Sequence, residues 1–190
     1  MTVTSYRVAV IRGDGIGHEV IPAGLAAIEA AIRGAGLEMQ FTEFPWGCDY
    51  YLRHGRMMDE DALARLAPFD AIYFGAVGAP SVPDHISLWQ LILPIRQRFD
   101  QYVNLRPIRL LPGVPSPLAQ RTAADIDMIC VRENCEGEYV GVGGRLYAGT
   151  PHETVEQTGV FTRRGTERIL RYAFELAARR PRRSLASATK

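Results

Sequence analysis

Tyr6-Arg7-Val8-Ala9-Val10-Ile11-Arg12-Gly13-Asp14-Gly15-Ile16-Gly17-His18-Glu19-Val20 decides the fold. Tyr6 to Ile11 is a short β-branched apolar run, three glycines follow, and Val20, Ile21, Gly24, Leu25, Ile28 and Ile32 then recur at helical spacing. That order is strand, turn, helix. Gly34 and Gly36 end the helix, Leu37 to Phe44 alternates as a second strand, and Asp59, Glu60 and Asp61 open a short helix through Leu66. Asp70 to Val77 reads as a buried strand, and Ile86 to Phe99 as a helix kinked or split at Pro94. Alternating strands and helices predict an α/β architecture, a parallel or mixed sheet with flanking helices and strands buried on both faces.

The second half reads differently. Gln101 to Leu111 and Ile126 to Arg132 look like strands, and Tyr139 to Thr158, with four glycines, looks like a hairpin excursion. Thr162 is placed to cap a helix with Ile169, Leu170, Ala173, Phe174 and Ala177 on its inner face, and Pro181 follows its end. The arginines at 179, 180, 182 and 183 read as a solvated helix end, and Ser184 to Thr189 as the start of a further strand. The expected division is 1–104 for a first part and 105–190 for a second.

Composition is that of an ordinary globular chain: 190 residues, 47% hydrophobic and 23% charged. A net charge of +1 offers no field for a polyanion, so nucleic acid is not an expected partner. The opening lacks a secretory pattern and no apolar run is long enough to span a bilayer, which points to a cytoplasmic protein with no membrane partner. Cys48, Cys130 and Cys135 show no C-x-x-C spacing and read as small buried hydrophobes. Every one of the 22 basic side chains is arginine except Lys190.

Four groups of residues invite chemistry. Gly13-Asp14-Gly15-Ile16-Gly17 follows a strand, but a third glycine of the dinucleotide fingerprint would fall at His18, and no acidic residue stands where it would hold a ribose. Alone, the turn reads equally as structural or as a binding loop. Arg96, Arg106 and Arg132 each close an apolar stretch, and planar guanidinium forks suit the carboxylates of a diacid or triacid; each also reads as a salt bridge or rim residue. Tyr139, in Glu133-Asn134-Cys135-Glu136-Gly137-Glu138-Tyr139, reads either as a proton donor or as an ordinary tyrosine. Lys190 is a base candidate, because lysine loses its proton in settings where arginine keeps it.

The motifs taken together resemble one family. GDGIGHEV, FGAVGAP at 74–80, Asn104-Leu105-Arg106-Pro107, Val131-Arg132-Glu133-Asn134, Glu136-Gly137-Glu138-Tyr139 and Ala188-Thr189-Lys190 stand in the order found in the isocitrate, isopropylmalate and tartrate/D-malate group of β-decarboxylating dehydrogenases. Asp84 to Trp89, Phe99 to Asn104 and Phe161 to Gly165 look most like the tartrate/D-malate branch. The resemblance implies an isopropylmalate-dehydrogenase-like α/β fold, here only its N-terminal half, with 1–104 on the cofactor side and 105–190 in a small substrate and dimerisation domain. It implies NAD as cofactor, lined by Ile16, Gly75, Ala76, Val77 and Gly78, with Mg2+ or Mn2+ as metal. It implies Arg96, Arg106 and Arg132 as carboxylate holders, Ser87 and Leu88 as substrate neighbours, Tyr139 as general acid, and Lys190 as a base delivered across a homodimer whose clasp is 139–158.

Trp89, just before Arg96, would shrink the pocket toward a four-carbon diacid, D-malate or tartrate, with 3-isopropylmalate as the alternative. The chain departs from the family in three ways. No aspartate follows Asp127 and none are spaced four apart on a helix, so no metal ligands are expected here. Arg12 and His18 replace prolines common beside the turn, and Gln90 stands where glycine is usual. A non-catalytic fragment keeping the scaffold and a weak ligand or dimer surface, and a generic nucleotide-binding module, are the competing readings.

Overall fold

The structure, a computed structural model, describes residues 4–188. The Lys190 and Thr189 expectations lie outside the described residues. The chain divides into two compact units, Met1–Arg98 and Phe99–Lys190. The boundary precedes the first strand of the second unit, whereas the sequence reading placed it inside that strand, at 104.

In the first unit, β1 (Thr4–Gly13) lies between β2 (Leu37–Phe44) and β3 (Ala71–Ala76), both parallel to it, with Val8 opposite Phe41 and Ala71. The order β2-β1-β3 needs crossovers, which α1 (Gly17–Ile32) and the short α2 (Cys48–His54) and α3 (Ala62–Leu66) supply. Among the three strands, β1 alone meets the expectation of burial on both faces: Val8, Ala9, Val10 and Ile11 are all buried, while β2 and β3 keep exposed positions. Phe44 stacks on Trp46 at 4.5 Å and meets Phe69 edge-on at 5.7 Å, closing the core beneath α2 and α3. Helix α2 was not read from the sequence. Its entry residue Gly47, at φ 156°, carries no side chain because a Cβ there would stand 2.8 Å from the Asp14 carboxylate.

The helical stretch expected over 86–99 runs Asp84–Arg98, but not as expected. It comprises α4 (Asp84–Ser87), a π turn (Leu88–Ile92) and α5 (Leu93–Arg98), so the irregularity falls one turn before Pro94.

The second unit is built on two antiparallel ribbons. Strand β4 (Val103–Arg109) pairs with β5 (Asp127–Glu133), and β6 (Gly137–Leu146) with β7 (Thr154–Val160), the latter matching the expected hairpin. Helix α6 (Arg163–Arg179) begins at Thr162, whose hydroxyl accepts the Gly165 N–H at 3.0 Å. Gly165, Ala173 and Ala177 are its buried positions. Leu170 and Phe174, expected on the inner face, are 41% and 62% exposed, because the helix seats its small residues against β5 and turns these two away from it.

Two further expectations are corrected. Arg180 is not a solvated helix end: it donates to both the Asp127 carboxylate, at 3.0 Å, and the Asp127 carbonyl, at 3.1 Å, fastening the end of α6 to β5. Ser184–Ala188 forms no strand. A strand is defined by the neighbour it bonds, and this segment has none; Ser184, Leu185 and Ala186 instead line a cleft beside Ile129, Val131 and Ala173. Among the described residues no helix is long and apolar enough to cross a membrane.

Candidate functional site

In the first unit the parallel strands bring their carboxyl ends together, the position where open α/β sheets present loops to ligands. Asp14 organises that end. It is buried; its backbone N–H donates to Ala76 at 2.6 Å, and its carboxylate accepts the N–H of Cys48 at 2.7 Å and of Gly78 at 3.0 Å. One side chain therefore fixes the GDGIG turn, the start of α2 and the loop after β3. Burial pushes the Cys48 thiol up to about 11, helped by the hydrogen bond and charge of Asp14, so Cys48 is an inert packing thiol. Of the other two cysteines, Cys130 is exposed and Cys135 half-buried, a correction to the reading of all three as buried; both lie on or just after β5, where alternate residues face outward.

The turn leaves no room between β1 and β3. A Cβ on Gly13 would fall 1.9 Å from the Ala76 carbonyl, and one on Gly17 or Gly75 about 2 Å from that of Arg12. Ile16 by contrast is 56% exposed, and nothing stands within 4 Å of a Cβ built on Gly15 or Gly78. Ile16 and Gly75–Gly78, the residues read as cofactor neighbours, are thus gathered at one sheet end, with open space beside Gly15 and Gly78. Beside them is a cavity of about 470 Å³ lined by Arg12, His18, Trp46, Tyr50 and others; Arg12 there pairs with Glu43 at 2.6 Å. Ser87 is buried with its hydroxyl donating to the Asp84 carbonyl at 3.0 Å, while Leu88 and Arg96 are half-buried along the same helical stretch.

In the second unit, pairing fixes which side chains share a face. Asn104 lies opposite Arg132 and Arg106 opposite Cys130, so these four project from one side of the β4–β5 ribbon. The other side, with Ile129 and Val131, is the one α6 packs against. Arg106 and Arg132 consequently stand on the face that α6 leaves open.

Arg106 donates to Asn104 at 3.0 Å, and Asn104 donates to Asn134 at 3.3 Å; Asn134, itself buried, donates to the Gln101 carbonyl at 3.1 Å. Arg132 donates to the Tyr139 hydroxyl at 2.7 Å and covers its ring at 5.1 Å. Because the phenol oxygen accepts there, its own proton points away from the guanidinium. Of the five catalytic and carboxylate-holding candidates, the structure brings Arg106, Arg132 and Tyr139 into one neighbourhood; Arg96 belongs to the first unit.

The supports of this face went unread in the sequence. Glu133 accepts the N–H groups of Cys135 at 2.9 Å and Glu136 at 2.7 Å. Arg168, on α6, bridges Asp100 at 2.7 Å and Glu133 at 3.4 Å and lies over the Tyr102 ring at 4.4 Å. It ties the start of β4 to the end of β5. No local pattern marks Arg168, since its partners are 68 and 35 residues away; Asn134 and Glu133 had a signal, their place beside Arg132. Among the described residues no three His, Cys, Asp or Glu side chains are grouped to hold a metal ion.

A parallel sheet with a glycine turn at its carboxyl end, followed by a unit of antiparallel ribbons presenting two arginines and a tyrosine, defines the class of the chain as α/β. The isocitrate/isopropylmalate dehydrogenase family pattern matches residues 7–190, and the chain belongs to that family. It is 59% identical over 188 residues to the D-malate dehydrogenase [decarboxylating] of Escherichia coli (strain K12), covering 98% of this chain and 52% of that protein. It is 55% identical to the tartrate dehydrogenase/decarboxylase of Pseudomonas putida, covering 100% of this chain and 53% of that protein. Among solved structures, the isocitrate dehydrogenase of Methylococcus capsulatus superposes with a TM-score of 0.75 at 28% identity, over 92% of this chain and 48% of that one. The chain spans about half the length of these relatives.

Proposed function

We propose that the chain is the N-terminal half of an NAD-dependent, divalent-metal-dependent dehydrogenase that oxidatively decarboxylates a small 2-hydroxy diacid, D-malate or tartrate, as a cytoplasmic homodimer. The observation that carries the reading is the Arg132–Tyr139 pair, a guanidinium 2.7 Å from a phenol, on the same open face as Arg106. Two forks anchor one end of a diacid and hold it beside a proton donor.

In the second unit Arg106 and Arg132 are the carboxylate holders; in the first, Arg96 is the third such residue, and Ser87 and Leu88 are assigned to the substituent that distinguishes one diacid from another. Ile16 and Gly75–Gly78 would hold NAD, which would supply a hydride acceptor for C2. Lys190 of the partner subunit receives the hydroxyl proton, the resulting β-keto acid loses carbon dioxide, and Tyr139 gives its proton to the carbon of the enolate. Arg132 holds that phenol in place. The hairpin of β6 and β7 is the clasp: Val142, Leu146, Tyr147 and Val155 are all exposed on it. The described residues do not fit a divalent metal, and no step is assigned to one.

Joining this chain to the part of the Escherichia coli relative beyond the match, and following nicotinamide reduction with D-malate, tartrate, 3-isopropylmalate and isocitrate, tests the reading. Fastest turnover of D-malate or tartrate is expected; preference for 3-isopropylmalate would reject the four-carbon assignment. The lack of a metal cluster among the described residues favours a second reading for the isolated 190 residues, a scaffold without turnover.

A further inference from the structure

One turn of the stretch Asp84–Arg98 is not α-helical. The Leu93 N–H donates to the carbonyl of Leu88, five residues back, where an α-helix reaches back four. The cause stands next in the chain. Pro94 has no N–H to give, and in an unbroken α-helix its ring would press on the carbonyl four residues earlier, that of Gln90. Widening the preceding turn by one residue moves that carbonyl aside. Such turns are rare and gather at functional sites.

The consequence is rotational. Each residue turns an α-helix by about 100°, so if the same residues formed an unbroken α-helix Arg96 would stand about 80° round from Leu88 and on the side opposite Ser87. Absorbing one residue brings Leu88 within about 20° of Arg96, and Ser87 within about 80°. Burial follows the shifted register. Ser87, Leu91 and Ile95 form a buried row and Leu88, Ile92 and Arg96 a half-buried one beside it, with Leu93 buried apart from both. Helical side chains lean toward the N-terminus, so the long arm of Arg96 reaches back along its row toward Leu88.

We propose that Pro94 is a positioning residue for substrate selection: the π turn it imposes on Leu88–Ile92 sets Leu88 and Arg96 on one line, so that an apolar group and a carboxylate-gripping guanidinium address the same diacid. This inference rests on the diacid reading above.

The test compares kcat and KM for D-malate and for 3-isopropylmalate in the full-length enzyme and in two variants, one lacking Gln90 and one carrying Pro94→Ala. Pro94→Ala removes the cause but keeps the length, so the stretch returns to the α register with Arg96 about 80° round from Leu88. The expected loss is about 100-fold in kcat/KM for D-malate, expressed mainly in KM. The D-malate to 3-isopropylmalate preference shrinks about tenfold. Removing Gln90 takes out the absorbed residue instead, so the helix straightens while Leu88 and Arg96 stay within about 20°, and KM and the preference are expected to hold. A purely structural role would lower stability and the active fraction for both substrates alike, leaving KM and the preference where they were; that result in folded Pro94→Ala overturns the inference. If Pro94→Ala does not fold, the Gln90 deletion decides, since loss of the preference with the alignment kept overturns the inference too. Wild-type enzyme that turns over neither diacid rejects the functional reading itself and takes this inference with it, a different outcome from active wild type with an indifferent Pro94→Ala.

Discussion

Gly24 and Gly75 face similar crowding with opposite consequences. A Cβ on Gly75 would lie 2.0 Å from the Arg12 carbonyl, backbone against backbone between β3 and β1, and neither strand can give without losing its ladder. Gly75→Ala is expected to cost about 2–3 kcal/mol in urea unfolding. A Cβ on Gly24 would meet only the far end of the Tyr73 side chain, its hydroxyl at 1.9 Å and the ring carbon behind it at 3.0 Å, and alanine favours the helix by about 1 kcal/mol. Gly24→Ala is expected near neutral; equal losses at both positions would refute the distinction. Asp59 carries a pH prediction. The Tyr50 hydroxyl donates to its carboxyl and, with Trp46 and Arg65, holds it below the usual carboxylate range against the opposing pull of burial. A depressed carboxyl contributes stability above the unfolded-chain value, about 3.9, and loses it as pH falls through the folded value. Asp59→Asn should therefore melt below the wild type at pH 7, and the gap should close as both are titrated below about pH 4. A gap that widened in acid would reverse the sign.

Helix α6 is held at its start by a closed circuit. Thr162 accepts the Gly165 N–H, while its own N–H and hydroxyl donate to Glu136 at 2.8 and 2.6 Å; these bonds hold the Glu136 carboxyl below its usual range. Thr162→Ala should cost about 1 kcal/mol in thermal unfolding, and Glu136→Gln a comparable amount. Their double variant should lose less than the sum, because both break one circuit; simple additivity would show the two groups acting separately. Periodicity exposed this helix and its cap, and it located β2 to the residue, because each pattern repeats within one element. It misread Ser184–Ala188 and the inner face of α6, since what covers an element is set by distant neighbours. The π turn was legible only as a disturbance at Pro94. The grouping of Arg106, Arg132 and Tyr139 followed from their motifs, whereas Asp14 as the tie between three loops, and Arg168 as the strut between strands, exist only once the chain has folded.

A two-stranded ribbon is marginal in water by itself, and β6–β7 keeps Leu146, Tyr147 and Val155 each more than 60% exposed. In the proposed homodimer, pairing of two copies along these hairpins would cover that surface. Such a dimer still lacks grouped carboxylates among its described residues, and hard divalent cations demand several oxygen ligands at once. Association and catalysis should therefore separate in the purified 190-residue chain. Sedimentation should show dimers that dissociate when Leu146 and Val155 are both changed to aspartate, while the same wild-type dimer, given D-malate, NAD and manganese, should reduce no nicotinamide. A monomer at every concentration would remove the clasp from the proposal, and measurable turnover would mean that the chain holds its metal with ligands other than a cluster of acidic, histidine or cysteine side chains.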